Sequence, residues 1–260
     1  MKLQANHISF QVHGKTILEE TSLQFDSGKF YVIMGANGAG KSTLLKILSG
    51  NLKSNTGSVQ LGERDISRYS TAQLARIRAV LSQHYSIQFP LTVAEIIMMG
   101  RYPWYKSEPA PDDYQIRNRA MEAMEIHELH ERDYNTLSGG EAQKVQMSRV
   151  LAQIWTENTR GDKILFLDEP VSHLDMKYQH QLLKMAREQS AAGNTVIAVL
   201  HDINLTLQYA DLILFMKEGR IVDTLQEFTS ITPELIKNVF DIQASVIRIE
   251  PGSKPVVVFK

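Results

Sequence analysis

Residues 35–42 read Gly-Ala-Asn-Gly-Ala-Gly-Lys-Ser, and the apolar pattern changes period across them. Phe30 to Met34 is a nearly continuous apolar run, as expected of a strand buried on both faces. After the glycines, Leu44, Leu45, Ile47 and Leu48 follow at helical spacing and stop at Gly50. A buried strand that turns through glycines into a helix belongs to an α/β fold. In such a turn, backbone N–H groups wrap an anion, Lys41 can reach β/γ-phosphate oxygens and Ser42 can hold Mg2+. Gly35, Ala36, Asn37, Gly38, Ala39, Gly40, Lys41, Ser42 and Thr43 are therefore the expected phosphate contacts.

Two later apolar runs, within KILFLDEP and NTVIAVLHD, end in polar residues. Open parallel sheets gather their chemistry at the carboxyl ends of strands. Asp168 and Glu169 end the first run, where one carboxylate can hold the Mg2+ shell and the next can orient or deprotonate an attacking water. His201 follows the second and can place an imidazole donor beside a terminal phosphate. Gln83, after Arg78-Ala79-Val80-Leu81, offers a neutral amide that can ligate Mg2+ or water.

Elsewhere, Ile8, Phe10 and Val12 alternate with polar residues, and Leu23 to Phe25 is a second short apolar stretch, the pattern of half-buried antiparallel strands. Between about Phe89 and Trp155 the texture is helical, with Met147, Val150, Leu151 and Ile154 at i, i+3, i+4, i+7 spacing. The expected division is an α/β core with an antiparallel β subdomain over 1–88 and 156–260, and an inserted helical subdomain over 89–155. The chain rejoins the core after the polar loop Thr156 to Asp162. Thr232-Pro233-Glu234 starts a late helix, and Val256 to Phe259 forms a final strand.

The chain has no cysteine, which removes disulfides, thiolate metal sites and thiol nucleophiles together. With 28 Lys and Arg against 29 Asp and Glu, it lacks the basic footprint of a general nucleic-acid binder. No apolar run approaches the roughly 20 residues that span a bilayer, and MKLQANHISF lacks a signal-peptide core.

Leu137-Ser138-Gly139-Gly140-Glu141 sits between the glycine-rich loop and the acidic strand end. A serine and two glycines opening a helix offer a hydroxyl and free N–H groups to an anion. Since the first phosphate site is already complete, this second one suggests that each subunit finishes a partner's pocket.

In the order GANGAGKS, Gln83, LSGGE, ILFLDEP, Ser172-His173-Leu174-Asp175 and His201, nearly the whole chain resembles the ATP-binding cassette (ABC) ATPases. The resemblance implies a P-loop NTPase (RecA-like) core. It also implies a head-to-tail homodimer with two ATP molecules, each between one subunit's loop and the other's Ser138, Gly139, Gly140 and Glu141. Asp175 would belong to the loop that communicates across that interface. Lys41, Glu169 and His201 would be catalytic, and Ser42, Gln83 and Asp168 would hold Mg2+.

Within that family, FPLTVAEIIMMGRYPW is similar to a segment of importer ATPases serving iron-siderophore, haem and cobalamin uptake. RDYNTLSGGEAQKVQMSRVLAQIW looks most like the haemin-import group. The implied partners are an integral-membrane permease dimer and, indirectly, a substrate-binding protein. The implied location is the cytoplasmic face of the inner membrane. Competing readings are a non-transport ABC ATPase acting on ribosome or DNA, and a nucleotide sensor without turnover. The first usually needs two cassettes or coiled-coil arms and the second the loss of a catalytic group; the sequence has neither. Tyr102, Trp104 and Tyr105 suit either packing under a loop or contact with a membrane partner. The sequence departs from the family where an aromatic residue often stacks on adenine: Val12-His13-Gly14 stands there, leaving His13 as the stacking residue or the base held elsewhere. Val171 and His173 replace commoner residues without removing a phosphate, metal or water ligand.

Overall fold

The computed structural model describes residues 1–83, 87–155, 163–172, 174–248, 250 and 253–260. Strands β1 (Leu3–Val12) and β2 (Lys15–Phe25) form a hairpin. Its two-residue turn, His13-Gly14, has φ of 48° and 78°, the doubly positive geometry that matches the twist of paired strands. With β4 (Thr56–Leu61) and β5 (Arg64–Asp65) they make an antiparallel sheet in the order β2-β1-β4-β5.

The central sheet contains β3 (Phe30–Gly35), β6 (Arg78–Leu81), β7 (Ile164–Asp168), β8 (Thr195–Val199), β9 (Leu212–Lys217) and β10 (Arg220–Leu225). Its order is β10-β9-β3-β8-β7-β6. Neighbours from β9 through β6 are parallel, and β10 returns antiparallel along the β9 edge. Every residue of β3, β7 and β8 is buried, which explains their unbroken apolar runs.

Alternation along these strands divides the interior into two cores. Tyr31, Ile33, Phe166, Ile197 and Val199 face helix α1 (Lys41–Leu48) and the antiparallel sheet beyond it. Phe30, Val32, Met34, Leu165, Leu167, Val196 and Ala198 face the opposite core. That core extends without a break into α3 (Val93–Met98), α4 (Pro111–Ala123) and α5 (Gly139–Ile154), and also takes in α6 (Met176–Ala191), α7 (Ile203–Tyr209) and α8 (Pro233–Phe240). The segment between β6 and β7 is thus helical among its described residues but packed on the sheet; α5 lies against β6 and against α2 (Thr71–Ile77).

Helix ends follow their local chemistry. Ser70, Thr92 and Ser138 each accept from the N–H of residue N3, and the N3 side chain returns the contact. Thr232 caps α8 with Pro233 at its first turn, as the Thr-Pro-Glu signal predicts. β11 (Ala244–Ile247) pairs with β12 (Val256–Phe259), the predicted final strand. The polar loop expected over residues 156–162 lies outside the described residues.

One buried ion pair holds the helical segment together. Arg101, 4% exposed, donates from Nε to Asp113 Oδ1 at 2.9 Å and from a guanidinium NH to the carbonyls of Ala152 and Trp155 at 2.6 and 2.8 Å. It ties the turn after α3 to the start of α4 and the end of α5. Trp104 is a packing residue in the same place: its indole donates to the Gln153 carbonyl at 2.9 Å and lies 4.7 to 5.7 Å from Lys163, Arg101 and Arg76. Tyr102 and Phe89, by contrast, are exposed.

Removing one member of a buried pair leaves the other charge uncompensated, at a cost of several kcal/mol. Arg101→Ala is expected to lower the unfolding free energy by about 3 kcal/mol in a denaturant titration.

Candidate nucleotide site at the carboxyl ends of the central strands

The loop leaves β3 through backbone so close to its neighbours that side chains do not fit. A Cβ on Gly35 would stand 2.1 Å from the Met216 carbonyl oxygen, and one on Gly40 would stand 2.6 Å from that of Ile17. Gly40 also has φ of 96°, in the region that L-residues avoid. The Gly219 N–H donates to Ala39 O at 3.1 Å and the Glu19 N–H to Gly219 O at 2.9 Å, so the loop, the β9–β10 turn and β2 are joined backbone to backbone.

Within this frame Lys41 is buried, and its ammonium donates to the carbonyls of Gly35 and Ala36, both at 2.9 Å. Burial pulls it below its ordinary range, against the opposing influence of Glu169 and Asp168. Ser42 donates its hydroxyl to Asp168 Oδ1 at 2.8 Å, bridging the first turn of α1 to the end of β7.

The two adjacent carboxyls are driven in opposite directions. Burial pushes Asp168 up and the charge on Glu169 adds to this, while the Ser42 hydroxyl works the other way. Glu169 is also pushed up by burial, but the His201 bond, the charges of His201 and Lys41 and the Gln83 amide outweigh it, so this group lies below the ordinary carboxylate range. His201 Nε2 lies 2.7 Å from Glu169 Oε1, and Gln83 Nε2 donates to Glu169 Oε2 at 2.7 Å. Glu169 itself has φ of 52°, a left-handed turn that lifts its side chain off the end of β7.

Lys41, Ser42, Gln83, Glu169 and His201 border one cleft of about 750 Å³, a suitable size for a nucleotide. Loop residues Asn37, Gly38 and Gly40 to Thr43 form one wall and Gln83, Glu169 and His201 another. Gly35, Ala36, Ala39 and the buried Asp168 are not part of that lining. The third wall comes from Lys15 and Ile17, two residues the sequence reading did not single out. His13 occupies the turn of the same hairpin and is not part of the wall. No local signal marks Lys15 and Ile17: they join the wall because the strand leaving the hairpin turn, rather than the one entering it, runs past the loop.

Ser138, Gly139, Gly140 and Glu141 do not border the cleft of their own chain. They open α5, where Glu141 Oε2 accepts from the Ser138 N–H and hydroxyl, both at 2.8 Å, and Glu141 Oε1 lies 3.2 Å from Arg132. Asp175 is likewise outside it and caps α6 by accepting from the Tyr178 N–H at 3.1 Å. Val171 is half-buried against the core, and His173 lies outside the described residues.

The oxygen-only donor set of Ser42, Asp168 and the Gln83 amide suits a small hard cation that draws its remaining ligands from phosphate and water. The chemistry of Asp168 fits as well: a buried carboxylate with one hydroxyl partner and a pKa held up by desolvation is one that a cation would relieve.

A sequence model of the ABC transporter family matches residues 18–172. The chain belongs to the ABC transporter family and is an ATP-binding ATPase of it. Relatives span nearly all of it: the hemin import ATP-binding protein HmuV of Methylobacillus flagellatus is 38% identical over 98% of this chain and 95% of its own length. The protein of the same name from Hahella chejuensis is 40% identical over 98% of both. The fold is similar to that of a chain in the inward-facing structure of a metal-chelate type ABC transporter, with a TM-score of 0.79 at 22% identity over 99% of this chain and 96% of that one. A dimeric bacterial ABC transporter cassette gives 0.74 at 22% identity over 86% and 98%.

Gly40→Ala adds a side chain where backbone already stands. We expect a loss of about 2 kcal/mol from strain and overpacking. The rise in melting temperature on adding ATP should also shrink, measured by thermal unfolding with and without nucleotide.

Proposed function

We propose that this chain hydrolyses ATP to drive import of hemin through a membrane permease. The observation that carries the hydrolytic part is the Glu169 carboxylate, held ionised between His201 and Gln83 at the cleft mouth. The name shared by relatives at 38% and 40% identity over nearly the full length supports the cargo.

In this reading the loop Gly35 to Thr43 wraps the β- and γ-phosphates with backbone N–H groups, and Lys41 exchanges its carbonyl contacts for phosphate oxygens. Ser42, Asp168 and Gln83 would hold Mg2+, whose charge would supply neutralisation of the negative charge developing on the phosphates. Glu169 orients the attacking water and takes its proton, and His201 fixes that carboxylate while presenting its ring to the γ-phosphate side. Lys15 and Ile17 line the side of the cleft where the adenosine would rest, with His13 beyond them at the turn of the same hairpin.

Two copies assemble head to tail, so that Ser138, Gly139, Gly140 and Glu141 of one close over ATP held by the other, with Asp175 at the contact between them. Closure excludes water and completes each site; hydrolysis releases it. The dimer sits on the cytoplasmic face of the inner membrane against a permease dimer, which receives hemin from a substrate-binding protein. The near-neutral charge balance supports a role without nucleic acid.

Glu169→Gln should bind ATP with near-normal affinity and dimerise on it, yet turn over at least about 100-fold more slowly. Phosphate release and light scattering measure the two, and near-normal hydrolysis would refute the base assignment. For the cargo, the subunit reconstituted with its permease should show ATPase stimulation by hemin-loaded binding protein and not by siderophore- or cobalamin-loaded protein.

A further inference from the structure

The turn carrying Glu169 is held from outside by two glutamines, one from each neighbouring helix. Gln143 of α5 donates from Nε2 to the Pro170 carbonyl at 2.8 Å. Gln179 of α6 donates from Nε2 to the Leu174 carbonyl at 3.0 Å and to that of Val171 at 3.5 Å. Inside the turn, the Glu169 N–H reaches Val199 O at 3.2 Å and the Ser172 N–H reaches Glu169 O at 3.3 Å. Proline has no N–H, so residue 170 can be held through its backbone only at the carbonyl that Gln143 grips.

The positions of these glutamines along their helices matter. Gln143 stands five residues beyond Ser138, the cap of α5, and Gln179 four residues beyond Asp175, the cap of α6. Each helix therefore presents its capped end away from its own cleft and, about one turn further on, reaches back to the segment that positions its own catalytic carboxylate. A helix is stiff over this distance, so a displacement at the cap is passed to the amide little diminished. Pro170 is bonded directly to Glu169, so a shift of its peptide moves the backbone from which the Glu169 side chain leaves, itself in a left-handed conformation.

We propose that Gln143 and Gln179 are positioning residues that couple the two sites of the dimer. When Ser138 and Asp175 engage the partner, the two amides set Glu169 in the chain's own cleft, so each carboxylate is aligned only when the opposite site is filled. This inference rests on the head-to-tail assembly proposed above.

The test uses the full chain with Gln143→Met, which keeps the length of the side chain and removes its donors, and Gln143→Lys, which retains a donor. ATP affinity of Gln143→Met should stay within about two-fold, kcat should fall about ten-fold, as expected for one hydrogen bond, and the Hill coefficient should drop from about two toward one. Gln143→Lys should recover at least half of kcat. Gln179→Met should repeat the pattern more weakly and stands independently if a Gln143 variant does not fold. Wild-type kcat and cooperativity in both methionine variants overturn the proposal. So does a loss that tracks melting temperature and is not rescued by lysine, or a wild-type Hill coefficient of one. ATP-driven dimerisation of Glu169→Gln separates the cases: if it fails, the assembly is wrong; if it holds while the methionine variants behave as wild type, only the coupling is wrong.

Discussion

The structure depends on a close backbone approach. At Gly35 and Gly40 the loop lies against the Met216 and Ile17 carbonyls with no room for a side chain, and Gly219 completes a run of backbone hydrogen bonds from β2 to the loop. This contact sets where α1 begins, and α1 fills the space between the antiparallel sheet and the central one. Lys41 and Ser42 are its first residues, so their reach is set by packing of Leu44, Leu45, Ile47 and Leu48 rather than by the loop alone. A rigid base of this kind is what phosphate chemistry needs, because positioning and charge neutralisation supply most of its catalysis.

The strand order then distributes chemical roles. β3, β8 and β7 are adjacent, so the loop, His201 and the Asp168-Glu169 pair emerge side by side although they are far apart in the chain. Neighbouring carboxyls acquire different characters because Asp168 still belongs to the buried strand while Glu169 has turned out of it toward an imidazole, an ammonium and an amide. A single residue step, through a left-handed turn, is enough to separate a buried carboxyl held above the ordinary range from one held below it.

Much of this was legible in the chain. β3, β7 and β8 announce themselves as apolar runs because both of their faces are covered, and α1 and α5 do so by their helical spacing. The glycine-rich loop, the strand-end acids, Gln83 and His201 come together as their positions after strands suggest. What sequence could not supply was lateral placement. β9 has a similar apolar run, yet nothing in it says that it pairs with β3 and roofs the loop at Gly35. Lys15 and Ile17 join the cleft because the hairpin folds over it, a tertiary fact with no local signature. The glutamines on the Glu169 turn were invisible for the same reason, since an amide that grips a distant carbonyl leaves no periodicity in the chain.

Topology also gives the helical segment a meaning beyond its content. β6 and β7 are neighbours in the sheet, and everything between residues 82 and 163 is the connection between them. In the terms used for parallel sheets it is a single crossover, enlarged from one helix to a lobe, whose two ends are anchored on strands about 4.8 Å apart. Tethered at two such close points and sharing the core that covers one face of the sheet, the lobe is fixed to the strands that carry the site. Leu81 and Ile164 bracket this crossover, and both of its anchor points lead into the site: Leu81 directly into Gln83, and Ile164 through β7 to Glu169.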